Sequence, residues 1–162
     1  MKRVKKYYLG DYTQVNKYPK WWNQTITVYN QFKDPKTNKI VWQSIVIPNC
    51  FWRYTEEKFI INGTVVNSNV TVCRIPKHKR FLERYLWEQL SDSDRQNYFT
   101  LSIGDMIVKG KVNDTIDEYT SGKRSNDFLT HYKKLQGCTL ISMVAVNVDG
   151  GRDAEHYLVK GS

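Results

Sequence analysis

The segment Lys58-Phe59-Ile60-Ile61-Asn62-Gly63-Thr64-Val65-Val66 (KFIINGTVV, residues 58–66) predicts a β-hairpin and decides the fold class. The Asn62-Gly63 pair favours a type I′ turn, because that turn needs a positive φ at both central residues. The apolar and β-branched residues on either side are typical of paired strands. We therefore expect residues 59–61 to pair with residues 64–66 in an antiparallel sheet.

Short strand patterns continue in both directions from this hairpin. Residues 24–30 (QTITVYN) alternate Ile26 and Val28 with Thr27 and Tyr29, which predicts a half-buried strand. Pro48-Asn49 is expected to end the strand before the hairpin, and Gly104 and Gly110 to mark bends. The predicted strands cover residues 24–30, 39–47, 50–54, 58–61, 64–66, 70–72, 98–102, 105–109, 111–116, 138–148 and 155–160. The sequence thus predicts a mainly β fold: a small β-barrel or sandwich of about eight short strands.

One or two short helices are expected beside the strands. Residues 76–97 are only partly amphipathic, and residues 91–94 (SDSD) are rich in N-cap residues that favour a short helical turn. The clearest helix covers residues 125–135, with Ser125 or Asn126 as its N-cap and Gly137 at the C′ position. Its expected apolar face contains Phe128, Leu129, Tyr132 and Leu135.

Length and composition exclude several classes of protein. The chain has 162 residues, 40% of them hydrophobic, which suits one packed domain rather than a disordered protein. No apolar run approaches the roughly 18 residues of a membrane span, so no membrane contact is expected. No apolar stretch follows the basic residues 2–6, so we expect no secretory signal. Cys50, Cys73 and Cys138 are far apart in sequence, which favours buried free thiols in a reducing compartment.

Residues 1–22 differ from the rest of the chain, so we divide it into an N-terminal arm (1–22) and a β-barrel domain (23–162). The arm has six basic residues against Asp11 alone, a net charge of +5, and shows no helical or strand period. We expect an extended arm that is ordered either by a partner or neighbouring subunit or by packing along its own domain. The candidate aromatic residues for a subunit interface are Tyr7, Tyr8, Trp21 and Trp22.

The positive charge of the chain is unevenly distributed. The formal net charge is +9, yet the arm carries +5, and residues 77–84 and 119–134 carry +3 each. Such segregation favours contact with phosphates or with an acidic protein surface, although basic helix faces in solvent have the same pattern. Any contact with nucleic acid would be electrostatic and salt-sensitive, since no base-reading motif is present. The candidate basic residues are Lys2, Arg3, Lys5, Lys6, Lys77, Lys79, Arg80, Lys123 and Arg124.

The sequence contains no recognisable catalytic or metal motif. His78, His131 and His156 stand in three separate segments, and no phosphate loop, serine hydrolase elbow or zinc-binding helix is found. Asp127 lies four residues before His131, a spacing that suits a surface ion pair better than a metal site. We therefore predict no catalytic residues, no metal and no cofactor.

The chain from residue 24 to residue 161 resembles the neck proteins of long-tailed bacteriophages, which complete the head and join it to the tail. The most specific part is Leu101-x-x-Gly104-Asp105-x-Ile107-Val108, followed by a second strand that ends in glycine. The other matching segments are Thr25-Ile26-Thr27-Val28-Tyr29-Asn30, Cys50-Phe51-Trp52, Arg74-Ile75-Pro76 and the closing His156-Tyr157-Leu158-Val159-Lys160-Gly161.

The resemblance implies a non-enzymatic virion protein, a connector or stopper at the head–tail junction. Such proteins are small β-barrels that form homo-oligomeric rings around the DNA exit channel. The implied partners are portal or adaptor proteins, tail proteins and packaged double-stranded DNA, which would be contacted without sequence specificity. The implied location is the virion neck, after assembly in the host cytoplasm.

Three alternatives remain open on the sequence alone. A tail-completion or tail terminator protein would share the same ring-forming barrel. An OB-like binder of single-stranded nucleic acid would use the aromatic residues as stacking platforms. A small metal-dependent nuclease would need Asp105 and Glu118 to converge on a divalent ion.

Overall fold

The structure, a computed structural model, describes residues 18–147 and 155–162. In this part of the chain, six antiparallel strands form a closed barrel in the order β1-β2-β3-β6-β5-β4. The strands are β1 (Gln24–Lys33), β2 (Ile40–Ile61), β3 (Thr64–Pro76), β4 (Met106–Lys109), β5 (Cys138–Asn147) and β6 (His156–Gly161). Three short helices accompany them: α1 (Arg84–Glu88), α2 (Asp92–Arg95) and α3 (Ser125–Leu135). The predicted mainly β fold with short helices is confirmed, and the barrel replaces the sandwich alternative.

The strands are fewer and longer than predicted, because β2 does not end at Pro48-Asn49. Gln24 of β1 pairs with Cys50 and Ile26 pairs with Ile47, so β2 has one extra residue here. Asn49 absorbs this β-bulge with a φ of 60°. Beyond the bulge, β2 leaves β1 and pairs with β3 from Phe51 onward. The predicted strands 39–47, 50–54 and 58–61 are therefore one strand that turns the corner of the barrel.

Two other predicted strands do not form. Within residues 98–102, only Phe99 makes a strand-like bridge, to Phe81, and its side chain packs in the barrel core with Leu101. Residues 111–116 follow an irregular path, and Val112 and Ile116 cover the outside of β1 instead. In both segments the apolar side chains pack against the barrel strands, from inside in the first segment and from outside in the second. Neither segment adds a strand to the barrel. The predicted bends at Gly104 and Gly110 are confirmed by their φ angles of 95° and 93°.

β1 is buried on both faces, whereas its alternation predicted burial on one. Ile26 and Val28 point into the barrel core. Tyr29, on the opposite face, packs in a second cluster with Phe128 and Tyr132 of α3. The second face escaped prediction because it is covered by a helix that lies about a hundred residues later in the chain.

Short helices are confirmed, but three form where one or two were predicted, because residues 76–97 contain both α1 and α2. Ser91 caps α2 by accepting a hydrogen bond from the Asp94 amide. α3 has the predicted bounds, and Gly137 follows it with a φ of 105°, but its N-cap is Arg124 rather than Ser125 or Asn126. Phe128 and Tyr132 form its buried face, whereas the predicted apolar residue Leu135 is exposed. The cysteines Cys50, Cys73 and Cys138 are free and buried, as predicted.

Two tyrosines that attach α3 to β1 predict an alkaline loss of stability. The Tyr29 hydroxyl donates to the Asp114 carbonyl at 2.6 Å, and the Tyr132 hydroxyl donates to the Asp114 carboxylate. Burial, aided by Asp114, raises the pKa of Tyr132 to about 12, and burial also raises the pKa of Tyr29. Stability that is complete below the ordinary tyrosine pKa of about 10 is therefore lost as the pH rises through the raised values.

We expect urea titrations at about pH 9 and about pH 11 to show a lower free energy of unfolding at the higher pH. Tyr132→Phe removes one of the two titrating hydroxyls, so its decrease should be smaller than that of the wild type. An equal decrease in both proteins would assign the alkaline transition to other groups.

Candidate functional site

The distal halves of β2 and β3 form a two-stranded ribbon that extends beyond the barrel. β1 pairs with β2 only as far as Cys50, and β6 pairs with β3 only from Thr71 onward. Residues 55–61 and 64–70 therefore pair with each other alone within the described chain. At about 3.3 Å per residue, this ribbon is about 23 Å long.

The predicted hairpin turn lies at the tip of the ribbon and is confirmed. Ile61 pairs with Thr64 across the turn, and Asn62 and Gly63 have φ angles of 50° and 79°. Phe59 pairs with Val66 and Ile60 with Val65, which is the predicted register. The turn and the register at the tip are therefore those that the local sequence predicts.

The side chains at the tip of the ribbon are apolar and exposed. Phe59, Ile61 and Val66 lie on one face, and Ile60 and Val65 lie on the other. Ile60 is 78% exposed and Val65 is 60% exposed. Soluble proteins seldom expose such a contiguous apolar patch unless it contacts a partner. This ribbon is the first candidate functional surface.

An aromatic–basic groove of about 380 Å³ lies on the outside of the barrel, at the base of the ribbon. The strand register creates it from two rows of side chains that cross β2, β3, β6 and β5. Its lining includes the aromatic residues Trp21 and Phe51 and the cations Arg53, Arg74 and Lys160. One row is Phe51, Arg74, Leu158 and Ala145, and the other is Arg53, Val72, Lys160 and Met143.

The two tryptophans of the predicted arm have different environments. Trp21 is 61% exposed and meets Phe51 edge to face, with ring centroids 5.4 Å apart. Trp22 is buried within its own chain, where its ring stacks on Tyr18 and meets the His156 ring edge-on. Both line the groove. Their predicted role at a subunit interface stays a prediction, with Trp21 as the exposed member of the pair.

The candidate basic residues are divided between two parts of the described chain. Lys77 is half-buried and forms an ion pair with Glu155 at 2.6 Å, while Lys79 and Arg80 are exposed. Lys123 and Arg124 are exposed just before α3, where Lys123 lines a cavity that also contains Asp114 and Asp127. The remaining candidates fall outside the described residues, namely Lys2, Arg3, Lys5 and Lys6, as do the aromatic residues Tyr7 and Tyr8.

The comparison with known proteins covers both candidate surfaces. Residues 21–162 match the family described as "Family of unknown function (DUF6751)". The chain belongs to this family. Searches of curated proteins and of solved structures found no match. The family match begins at Trp21, so it includes the aromatic–basic groove and the whole ribbon.

The acidic residue singled out by the sequence, Asp105, is fully buried and structural in its contacts. Its carboxylate accepts hydrogen bonds from Asn30 Nδ2 at 2.9 Å, the Gln31 amide at 3.0 Å and the Ser102 amide at 3.1 Å. Arg84 completes the set at 3.4 Å. Burial raises the pKa of the Asp105 carboxyl, and the neighbouring donors oppose that effect. The Gly104-Asp105 motif therefore ties β1, α1 and the segment before β4 together.

The two acids proposed for a nuclease have different hydrogen-bond partners. The Glu118 carboxylate accepts a hydrogen bond from Trp42 Nε1 at 2.9 Å, which is not one of the donors to Asp105. Among the described residues, no group of three or more potential ligands could hold a metal ion. No helix in residues 18–147 or 155–162 has the length and apolar character needed to cross a membrane.

Sequence reasoning missed the three cations of the groove. Arg53, Arg74 and Lys160 belong to three different strands, and each is a single charge within a β pattern. They come together only through the pairing of Arg53 with Val72, Val72 with Lys160, and Phe51 with Arg74. The available signal was that the three cations lie on the same face of the sheet as Phe51. This shared face can be recognised only once the register of the strands is known.

Proposed function

We propose that this chain is a non-enzymatic virion structural protein of a long-tailed bacteriophage, a ring-forming connector or stopper at the head–tail junction. The observation that carries the proposal is the exposed apolar ribbon on a closed barrel. A two-stranded ribbon is marginally stable in water by itself, and this one exposes apolar side chains on both faces. Burial of that surface against a partner would stabilise it by about 25 cal/mol per Å².

The closed barrel supports an assembly role in a second way. Within the described residues, each barrel strand has a neighbouring strand on both sides along at least part of its length, so the wall has no strand with one side wholly unpaired for association. Contacts between copies then depend on projecting elements, and the ribbon is such an element. A projecting element that binds elsewhere on the next copy generates a ring when the rotation closes.

The charge pattern is consistent with a channel that contains DNA. Lys79, Arg80, Lys123 and Arg124 are exposed, as a surface that neutralises phosphate without reading sequence requires. Packaged double-stranded DNA, a portal or adaptor protein and tail proteins are the proposed partners. The proposed location is the virion neck.

Light scattering coupled to size-exclusion chromatography tests the self-association. We expect the purified chain to form a discrete homo-oligomer, and a variant with residues 57–68 replaced by a short turn to be monomeric with the barrel intact. A reconstruction of virions from the source phage should show density for this chain at the neck. A monomeric wild type together with a neck that lacks this chain would refute the proposal, whereas density at the tail end would favour a tail-completion or tail terminator protein.

One observation favours a second function, binding of single-stranded nucleic acid. The groove combines the exposed Trp21 ring and Phe51 with the cations Arg53, Arg74 and Lys160, as in surfaces that stack bases and neutralise phosphates. Gel-shift titrations of a single-stranded oligonucleotide at two salt concentrations test it. Binding that persists at the higher salt and is lost in Trp21→Ala would support this function, and its absence at low salt would exclude it.

A further inference from the structure

We infer that the ribbon of one copy lies in the aromatic–basic groove of the next copy, so that the subunits associate head to tail. This inference rests on the proposed ring-forming function and names the two surfaces that meet. The occupant of the groove is therefore a second copy of this chain. The chemistry of each surface supports the pairing.

The groove has the composition of a receptor for an apolar, acidic segment. Trp21 and Phe51 provide an aromatic wall, and Val72 and Leu158 provide aliphatic surface between the strands. Three cations line the groove, and none of the described residues that line it is acidic. Both the exposed Arg53 and the exposed Lys160 belong to the same row of side chains across the sheet.

The ribbon has the complementary composition. The face of the ribbon that carries Phe59, Ile61 and Val66 also carries one charged residue, Glu57, which lies nearer the barrel. The opposite face carries Glu56 and Lys58, whose charges cancel. The first face is thus apolar with a net negative charge, and it is the face that we assign to the groove. Complementary charge of this kind sets the orientation of two subunits.

A symmetric contact between two ribbons is less favourable. It would bring together two faces that each carry Glu57 and no cation, and it would leave the cations of both grooves uncovered. A symmetric contact also closes as a dimer, whereas a contact between two different surfaces leaves one of each free to continue the ring. The head-to-tail arrangement therefore pairs the opposite charges and also allows the expected ring to form.

Two variants isolate the two surfaces. The ribbon variant, Phe59→Thr with Val66→Thr, removes apolar surface from one cross-strand pair and keeps residues that favour strands. The groove variant, Arg53→Glu with Lys160→Glu, reverses two exposed charges. Lys36→Glu with Lys111→Glu makes the same charge change at two exposed lysines outside the groove and is the matched control. Far-ultraviolet circular dichroism spectra that match the wild type show that each barrel is intact.

Sedimentation of each variant alone and of an equimolar mixture tests the inference. We expect each variant alone to self-associate at least tenfold more weakly than the wild type, and the control to assemble normally. The mixture should form a complex of two chains and no larger, because the intact ribbon of the groove variant fits the intact groove of the ribbon variant. Adding Glu57→Lys to the groove variant should restore assembly.

The outcomes separate this inference from the proposed function. A groove variant that assembles like the wild type, or a mixture that stays monomeric, would overturn the inference and leave ring formation in place. A wild type that is monomeric under the same conditions would overturn both. Binding of an oligothymidine that is lost in the groove variant while assembly is unchanged would assign the groove to nucleic acid and overturn the inference.

Discussion

Replacing Asp105 with alanine should lower the free energy of unfolding by about 3–5 kcal/mol. The carboxylate is fully buried and accepts hydrogen bonds from Asn30, the Gln31 amide and the Ser102 amide. Without it, these donors lose their acceptor inside the protein, and each buried unpaired donor costs about 1–3 kcal/mol. Urea unfolding followed by tryptophan fluorescence measures the change.

Two further variants make the Asp105 prediction specific. Asp105→Asn keeps the shape but places an amide donor where each carboxylate oxygen receives two donors, so it should also destabilise the fold. Glu83→Ala removes an exposed acid just before α1 and should change stability by less than about 0.5 kcal/mol. An asparagine variant as stable as the wild type would show that the acceptor role of Asp105 is dispensable.

Replacing Arg95 with alanine is expected to lower the free energy of unfolding by a similar amount, about 3–5 kcal/mol. The Arg95 guanidinium is buried and donates to the carbonyl oxygens of Trp87, Glu88 and Leu90, and to the Asp92 carboxylate at 2.8 Å. It also stacks over the Phe32 ring at 3.8 Å from the centroid. Removing it would take one donor away from each of these three carbonyls and open a cavity beside the ring.

Lysine is the matched control for Arg95. It keeps the charge but lacks the planar fork of donors that reaches several carbonyls at once. We therefore expect Arg95→Lys to lie between the wild type and Arg95→Ala in urea midpoint. Equal stability of the lysine variant and the wild type would mean that charge alone, rather than the fork geometry, holds α1 and α2 against β1.

The elements predicted correctly are those specified by short-range chemistry. Asn62-Gly63 predicts the hairpin turn that forms, and Ser91 predicts the start of α2. The strand break predicted at Pro48-Asn49 was wrong because proline lacks only an amide donor, which a bulge does not need. β2 changes its partner strand from β1 to β3 at that bulge, so few ladder hydrogen bonds are lost there. A change of partner is a long-range event that no local pattern records.

The candidate site was predicted less completely than the fold. The turn at the ribbon tip was identified from sequence, yet its length beyond the barrel follows from where β6 stops pairing with β3. The cations of the groove are widely separated in sequence and meet only in the folded sheet. Asp105 was recognised as part of a motif, but its role emerges from donors on three separate segments.

The unbroken course of β2 has a mechanical consequence. A load applied along the ribbon would pass through one continuous backbone, past the Asn49 bulge, into the ladder between β1 and β2. The hydrogen bonds of that ladder lie across the direction of pull, so several must break together before the strand slides. A copy held by its ribbon in the proposed assembly would thus be loaded in shear, the direction in which a β-ladder resists rupture best.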